Sequence, residues 1–273
     1  MNSIKNTLKR NAKIRQWYSD LVGKRTARKR TKEGQKIYKR NLNSYMYQYR
    51  NLKECHGSFE FNKEYATPCY CDRFAQNGRL DQYFWQDLWA ARQIASRKPK
   101  EHYDIGSSVG GFIAHLASFR DCIHLIDIRP MDAGIPGVSF VQADATNLNG
   151  IDDESIDSLS ALCSLEHFGL GRYGDEVSPD SWYKAIRSIV RVVSHGGYAY
   201  IAVPIGWEHL EFDAHRVFYA STIVDSFKPM ELVEYSCISG DDLCIEKDVP
   251  IHKYDECKDY DSLRFGLFCF RKD

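Results

Sequence analysis

The chain has no apolar run long enough to cross a bilayer. Its longest, around residues 198–204, falls far short of the ~20 residues that a spanning helix needs. The opening residues, MNSIKNTLKR, lack the apolar core of a signal peptide, so export by that route is not expected. Cysteine is sparse: nine scattered residues in 273 make no disulfide framework, and the expectation is a reduced, cytoplasmic protein. Proline is missing altogether before Pro68, so nothing there forbids long helices. With 43% hydrophobic and 27% charged residues, the composition is that of a folded chain and excludes wholesale disorder.

Net charge is also missing, with 37 basic residues against 37 acidic, but the balance conceals a split. Residues 1–50 hold fifteen Lys and Arg against Asp20 and Glu33 alone, an excess of +13, so the remainder carries −13. A basic arm has been joined to an acidic body. Such an arm can be a solvated helical face or can dock onto the acidic body of its own chain or of a second copy, which leaves a homo-oligomer open. It can also face an external anion, and its interleaved Tyr and Trp suit a membrane surface and a nucleic acid equally.

The arm reads as helical. Ile14, Trp17, Tyr18, Leu21 and Val22 keep helical spacing, as do Tyr38, Leu42, Tyr45, Tyr49 and Leu52, which predicts two helices around a polar basic stretch at 24–36. A third pattern, Phe84, Leu88, Ala91 and Ala95, ends before Pro99. Beyond it short apolar runs alternate with helical segments. Strands are expected at 102–105, 123–128, 138–141, 156–162 and 198–203, with helices at 111–119 and 181–193. That alternation predicts a parallel sheet covered on both faces. Two further strands, 231–238 and 263–270, are expected to form a closing antiparallel pair joined by an acidic loop at 241–261. The domains are therefore read as a helical extension at 1–98 and an α/β domain at 99–273.

The chemistry concentrates at the strand ends. In HYDIGSSVGG (102–111) a strand gives way to a glycine turn and then a helix. Gly106 permits the turn, and Gly110 permits close approach of a ligand to the helix N-terminus. Alone, such a loop can bind a dinucleotide, a nucleoside, or nothing. Asp127 ends the next strand about twenty residues on, where a carboxylate can accept both ribose hydroxyls of an adenosine; it can equally pair with Arg129. Asp144 and Ala145 end the third strand, placed to meet an adenine edge, although Asp144 also suits a helix cap. The fourth strand runs into SLEHFG and the fifth into AVPIG.

On these residues the chain resembles the class I S-adenosylmethionine-dependent methyltransferases. Their first motif, D/E-x-G-x-G-x-G, is met by Asp104, Gly106 and Gly110, with Ser108 in place of the middle glycine. The glycine pair Gly196-Gly197 before the fifth strand fits too. The resemblance implies a Rossmann-like, mostly parallel sheet with a closing antiparallel strand. It also implies an S-adenosylmethionine site at Asp104, Gly106, Ser107, Gly110, Asp127, Ile128, Asp144 and Ala145. The blocks QDLWAARQI, DIGSSVGGFIAHL, IDIRP, SLEHFGLGRYGD and AVPIG…DAHRVF further resemble a poorly characterised bacterial family linked to cell-surface polysaccharide biosynthesis. That likeness implies a glycan or sugar-containing acceptor and a location at the inner membrane surface; it does not cover the basic arm.

Methyl transfer to a hydroxyl needs donor and acceptor in line and a base for one proton. His167 and His215, each just beyond a strand end, are the candidate bases, and each can equally be a satisfied structural histidine. Glu166, Arg172 and Asp175 can orient an acceptor or a histidine, Asp213 can do the same for His215, and Arg216 can hold an anionic group. Cys69 and Cys71, with Cys55 and His56 upstream, match zinc-knuckle spacing poorly, and no metal is expected. Two other readings remain open: a non-catalytic Rossmann-like binding protein, favoured by Ser108 crowding the loop, and an RNA methyltransferase guided by the arm. The fourth-strand segment lacks an N-P-P-Y-type motif, which disfavours methylation of amide or adenine nitrogen.

Overall fold

A computed structural model of the chain describes residues 12–54, 57, 59–75, 78, 80–131, 134–239, 244–258 and 264–273. They fall into two compact units, Met1–Arg79 and Leu80–Asp273.

In the first unit the two helices expected in the arm are one, α1 (Ala12–Arg50). The stretch between them is polar, but it is built mainly of Lys, Arg, Ala, Gln and Glu, all good helix formers, and nothing in it terminates a helix. Gly34 is the weak point, costing ~1 kcal/mol relative to alanine in a helix interior. It is there because the Tyr70 carbonyl crosses the helix at that position: a Cβ on Gly34 would lie 2.0 Å from that oxygen. The Tyr38 ring stands edge-on to Tyr70 at 5.6 Å, and the Tyr45 hydroxyl donates to the Phe59 carbonyl at 2.6 Å. Residues 59–75 thus return along one face of α1. Cys69 and Cys71 are exposed there, while Cys55 and His56 lie outside the described residues.

The second unit opens with α2 (Gln82–Arg97), capped by the Asp81 side chain, which accepts from the Phe84 N–H at 3.2 Å. It ends at Lys98 in a left-handed conformation, directly before Pro99. The sequence groups this helix with the arm, but Trp89, Ala90, Ala91 and Ile94 are buried in one cluster with Phe112, Leu116 and Tyr200, which places it in the α/β unit.

Strands β1 (His102–Ile105), β2 (Ile123–Asp127), β3 (Val138–Gln142), β4 (Ile156–Leu162) and β5 (Val193–Ile205) are parallel, in the spatial order β3-β2-β1-β4-β5. The helix after β1 starts as a wide π turn at Val109–Ile113 and tightens into α3 (Ala114–Ala117). Helix α4 (Ser181–Val192) runs straight into β5, which begins upstream of Gly196-Gly197 instead of after them. A small hairpin, β6 (His209–Glu211) and β7 (His215–Val217), and a short helix, α5 (Ala220–Ser226), follow. Strands β8 (Glu231–Ser239) and β10 (Arg264–Arg271) do pair antiparallel, with β10 inserted between β5 and β8. The acidic segment between them contributes an edge strand, β9 (Cys244–Lys247); its parts at 241–243 and 259–261 lie outside the described residues. The fold class is the expected one: α/β, mostly parallel, closed by an antiparallel strand.

Alternation along β5 divides the core. Tyr200 and Ala202 face the cluster under α2 and α3, whereas Ile201 and Val203 face the cluster under α4 and α5. Two buried layers therefore pin the strand register, since a one-residue slip would exchange them. Among the described residues no helix is long and apolar enough to cross a membrane.

Candidate active site

The carboxyl ends of the parallel strands meet in a cleft of two adjoining lobes. One is lined by Gly106, Asp127, Ile128, Asp144, Ala145, Ser164, His167 and Asp175. The other is lined by Tyr83, Asp87, Gly106, Ser107, Gly110, Asp127, His167 and Tyr173. Of the residues the sequence singled out, Asp104, Glu166, Arg172, Asp213, His215 and Arg216 line neither lobe.

The glycine turn is built from behind. Gly106 has φ +75°, and a Cβ there would come within 3.1 Å of the Ser164 Cβ across the cleft, so only glycine suits both demands. Gly110 faces open space, with nothing within 4 Å of a would-be Cβ. Asp104 is wholly buried and works on the loop, not on a ligand. It accepts from the Ser107 N–H at 3.0 Å, from the Ser107 hydroxyl at 2.9 Å, and from the Ser160 hydroxyl. Burial outweighs these hydrogen bonds and lifts its carboxyl to about 7. Ser160 in turn lies 2.9 Å from His102 Nε2, and Ser158 lies 2.8 Å from His102 Nδ1. With the Ser160 proton given to Asp104, His102 must donate from Nε2 and accept at Nδ1. Burial holds it neutral, pushing it down to about 3.

At the end of β2, Asp127 accepts from the Arg129 N–H at 2.8 Å, from its Nε at 3.0 Å and from its Nη2 at 2.6 Å. Burial opposes ionisation, but the arginine prevails and holds the carboxyl below its usual range. The Arg129 guanidinium also lies over the Tyr173 ring at 4.6 Å, tying the β2 end to the loop after β4. Asp144 accepts from the Thr146 N–H at 2.8 Å, which closes a turn and caps no helix, since none follows it; its carboxyl remains exposed in the cleft.

Beyond β4, Cys163 takes a left-handed φ of +50° and the chain turns through Leu165–His167. His167 Nδ1 lies 2.6 Å from the Ala214 carbonyl, which can only accept, so Nδ1 carries the proton and Nε2 presents a lone pair. Burial pushes this imidazole down to about 4. Glu166 is buried, with Oε1 3.7 Å from His167 Nε2 and Oε2 without a partner among the described residues; burial raises its carboxyl to about 8. Arg172 donates to the same Ala214 carbonyl at 3.0 Å. Asp175 gathers the loop, accepting from the N–H groups of Gly169 at 2.7 Å and Tyr173 at 3.2 Å. Arg216, expected to hold an anion, instead donates to the Phe168 carbonyl at 2.7 Å and the Pro179 carbonyl at 3.4 Å. His215 lies 3.7 Å from Glu211, which takes the place expected of Asp213. Burial lowers its pKa.

Two cleft residues escape a reading by motif. Ser164 is 4% exposed and its hydroxyl has no partner among the described residues. Asp87 on α2 is 6% exposed, takes a hydrogen bond from Gln86 at 3.3 Å, and forms no ion pair among the described residues. Its Oδ2 lies 2.7 Å from where a Gly111 Cβ would stand, so Gly111 makes room for it; burial lifts it to about 6. The sequence hint was an acid inside the apolar stretch QDLWAA. Among the described residues no group of three or more His, Cys, Asp or Glu is disposed to hold a metal ion.

Residues 139–243, from β3 through β8, match a family described as Caenorhabditis protein of unknown function, DUF268. No curated protein matches the chain. Solved structures similar to it include a candidate methyltransferase of Bacillus halodurans, 18% identical, covering 68% of this chain and 98% of that one, with a TM-score of 0.49. Another is the 1,6-didemethyltoxoflavin N1-methyltransferase of Burkholderia thailandensis with 1,6-didemethyltoxoflavin and S-adenosylhomocysteine bound; it is 16% identical, with 68% and 78% covered and a TM-score of 0.48. A third is the N-methyltransferase NodS of Bradyrhizobium japonicum in complex with S-adenosylhomocysteine, 18% identical, with 68% and 84% covered and a TM-score of 0.47.

Proposed function

We propose that the chain is an S-adenosylmethionine-dependent methyltransferase that methylates an oxygen of a sugar in a surface glycan or its precursor. The observation that carries the reading is the cleft itself. A positive-φ glycine turn and open space at Gly110, both in the loop after β1, converge on it with the Asp127 carboxylate at the end of β2. The residues present fit such a cofactor. Asp127 can accept from ribose, and the Gly106–Gly110 backbone admits close approach. Asp87 offers a carboxylate without a cation to the positively charged methionine end. When bound, the cofactor supplies an activated methyl group. His167 Nε2, unprotonated and on the wall of both lobes, receives the proton of the acceptor hydroxyl, and the Ala214 carbonyl fixes its ring. The sugar assignment draws on the sequence resemblance alone, as does a place of action at the cytoplasmic face of a membrane.

Calorimetric titration with S-adenosylmethionine tests this. The wild-type chain binds, and Asp127→Ala weakens binding by about 1–3 kcal/mol through lost charge-assisted hydrogen bonds. Formation of S-adenosylhomocysteine with sugar nucleotides as acceptors then tests the substrate class. A second reading, a non-catalytic binding protein, is favoured by the Arg129–Asp127 pair, which already engages the ribose acceptor. Absence of cofactor binding by the folded wild-type chain would establish that reading instead.

A further inference from the structure

We infer that α1 carries a nucleic-acid-binding ridge, a contact surface for the phosphate backbone of a duplex. The inference is independent of methyl transfer and arises from the continuity of the helix. At about 100° per residue, Lys24, Arg25, Arg28, Lys29, Lys32 and Lys36 fall within an arc of about 140°; Lys39 lies inside it and Arg40 widens it to about 160°. All are exposed, and none forms an ion pair among the described residues. From residue 24 to residue 40 the ridge is about 24 Å long. Arg30 points elsewhere, and Glu33, the one acidic residue between residues 22 and 50, lies beyond the arc's edge.

Another face is spoken for. Thr31 meets Cys71 at 3.6 Å, the Tyr70 carbonyl crosses at Gly34, and Tyr38 and Tyr45 contact Tyr70 and Phe59. These residues fall in an arc of about 60° that begins about 20° beyond Lys24 and is centred about 130° from the middle of the basic one, so the helix is mounted along one side while most of the basic arc faces away from that contact. That arrangement disfavours a membrane, because an interfacial helix must bury its apolar face in lipid and here Phe59, Tyr70 and Cys71 already occupy part of that face. It suits a phosphate lattice, which a rigid row of cations meets by neutralising charge after charge. The acidic body is the weaker counterpart, since many of its exposed carboxylates hold cations of their own: Asp153 with Arg191, Asp180 with Lys184, and Glu246 with Lys253.

The test is fluorescence anisotropy of the full chain with a labelled RNA duplex and a labelled DNA duplex, each of about twenty base pairs, at rising salt. With six phosphates engaged, affinity falls about 1,000-fold between about 50 and about 200 mM salt. The combined variant Lys24→Ala, Arg28→Ala, Lys32→Ala, Lys36→Ala keeps the helix, because alanine is the best helix former, and reduces the log–log salt slope by about 3–4. Arg30→Ala, off the arc, leaves binding within about twofold of wild type. The inference is overturned if neither duplex binds, if Arg30→Ala weakens binding as much as the four-site variant, or if only phosphatidylserine vesicles bind. Circular dichroism of each variant confirms that the helix persists.

Discussion

At the scale of the residue, the decisive pair is His167 and Glu166. His167 has the right tautomer, but burial leaves it a weak base at about 4. Glu166, raised to about 8, is mostly neutral at pH 7. As Glu166 ionises, its charge 3.7 Å from Nε2 favours the imidazolium and strengthens the base. Turnover is therefore expected to climb as pH rises through about 8. Glu166→Gln removes that limb while keeping cofactor affinity, and His167→Ala costs on the order of 100-fold in turnover. A wild-type kcat that is flat across this range would remove Glu166 from the mechanism. Asp127 yields a second expectation. A carboxylate has about four acceptor positions, and Arg129 fills three of them, so the arginine competes with ribose. Arg129→Ala should bind S-adenosylmethionine at least as tightly as wild type in calorimetry. Weaker binding would mean that Arg129 contacts the cofactor instead of yielding to it.

At the scale of the element, the strands were legible and much of the loop chemistry was not. β1 and β4 have the bounds read from the sequence, because a short apolar run between turn residues has few other ways to be buried. In α1 the polar stretch at 24–36 resembles a linker in composition, whereas helix propensity depends on the absence of breakers, and the helix runs through it. The edge strand β9 and the β6–β7 hairpin went unread: both are short and half-exposed, with little alternation to mark them. Asp175 and Arg216 look like ligand groups in sequence but are used to satisfy backbone N–H and carbonyl groups. Which partner a charged loop residue takes depends on long-range folding that local spacing does not encode. Arg216 shows what that use is worth. It spans carbonyls from the β4 loop and from the segment before α4, so Arg216→Ala should cost about 1–3 kcal/mol in urea unfolding. It should also lower turnover by displacing His167. Arg216→Lys should rescue little, since one ammonium cannot reproduce the fork; full rescue by lysine would show that the charge alone matters.

At the scale of the whole molecule, the charge split was plain in the sequence, while the titration of the interior was not, because it follows from burial. Among the described residues of the α/β unit burial lowers three histidines, most strongly His102, to about 3, and His167, to about 4, with His215 shifted the same way. The unfolded chain takes up protons there first, so their contribution to stability grows as pH rises towards about 6.5 and is constant above it. The buried carboxyls run the other way. Asp87, Asp104 and Glu166, lifted to about 6, 7 and 8, favour the folded state below the ordinary carboxylate range, and that stability is lost as pH passes each raised value. Between pH 4.5 and 6 the two sets largely cancel. From about 6.5 to 8 only the carboxyls titrate, so the urea midpoint followed by tryptophan fluorescence should fall over that interval. Trp85, Trp89, Trp182 and Trp207 report on this unit. Glu166→Gln should flatten the upper part of the fall; a midpoint that rises with pH there would contradict the burial of these groups. A cationic ligand reverses the balance at Asp87, because it gains an ionised partner as the free protein loses stability. Added S-adenosylmethionine should therefore raise the midpoint more at pH 8 than at pH 5.5, so that the free and bound curves separate with rising pH.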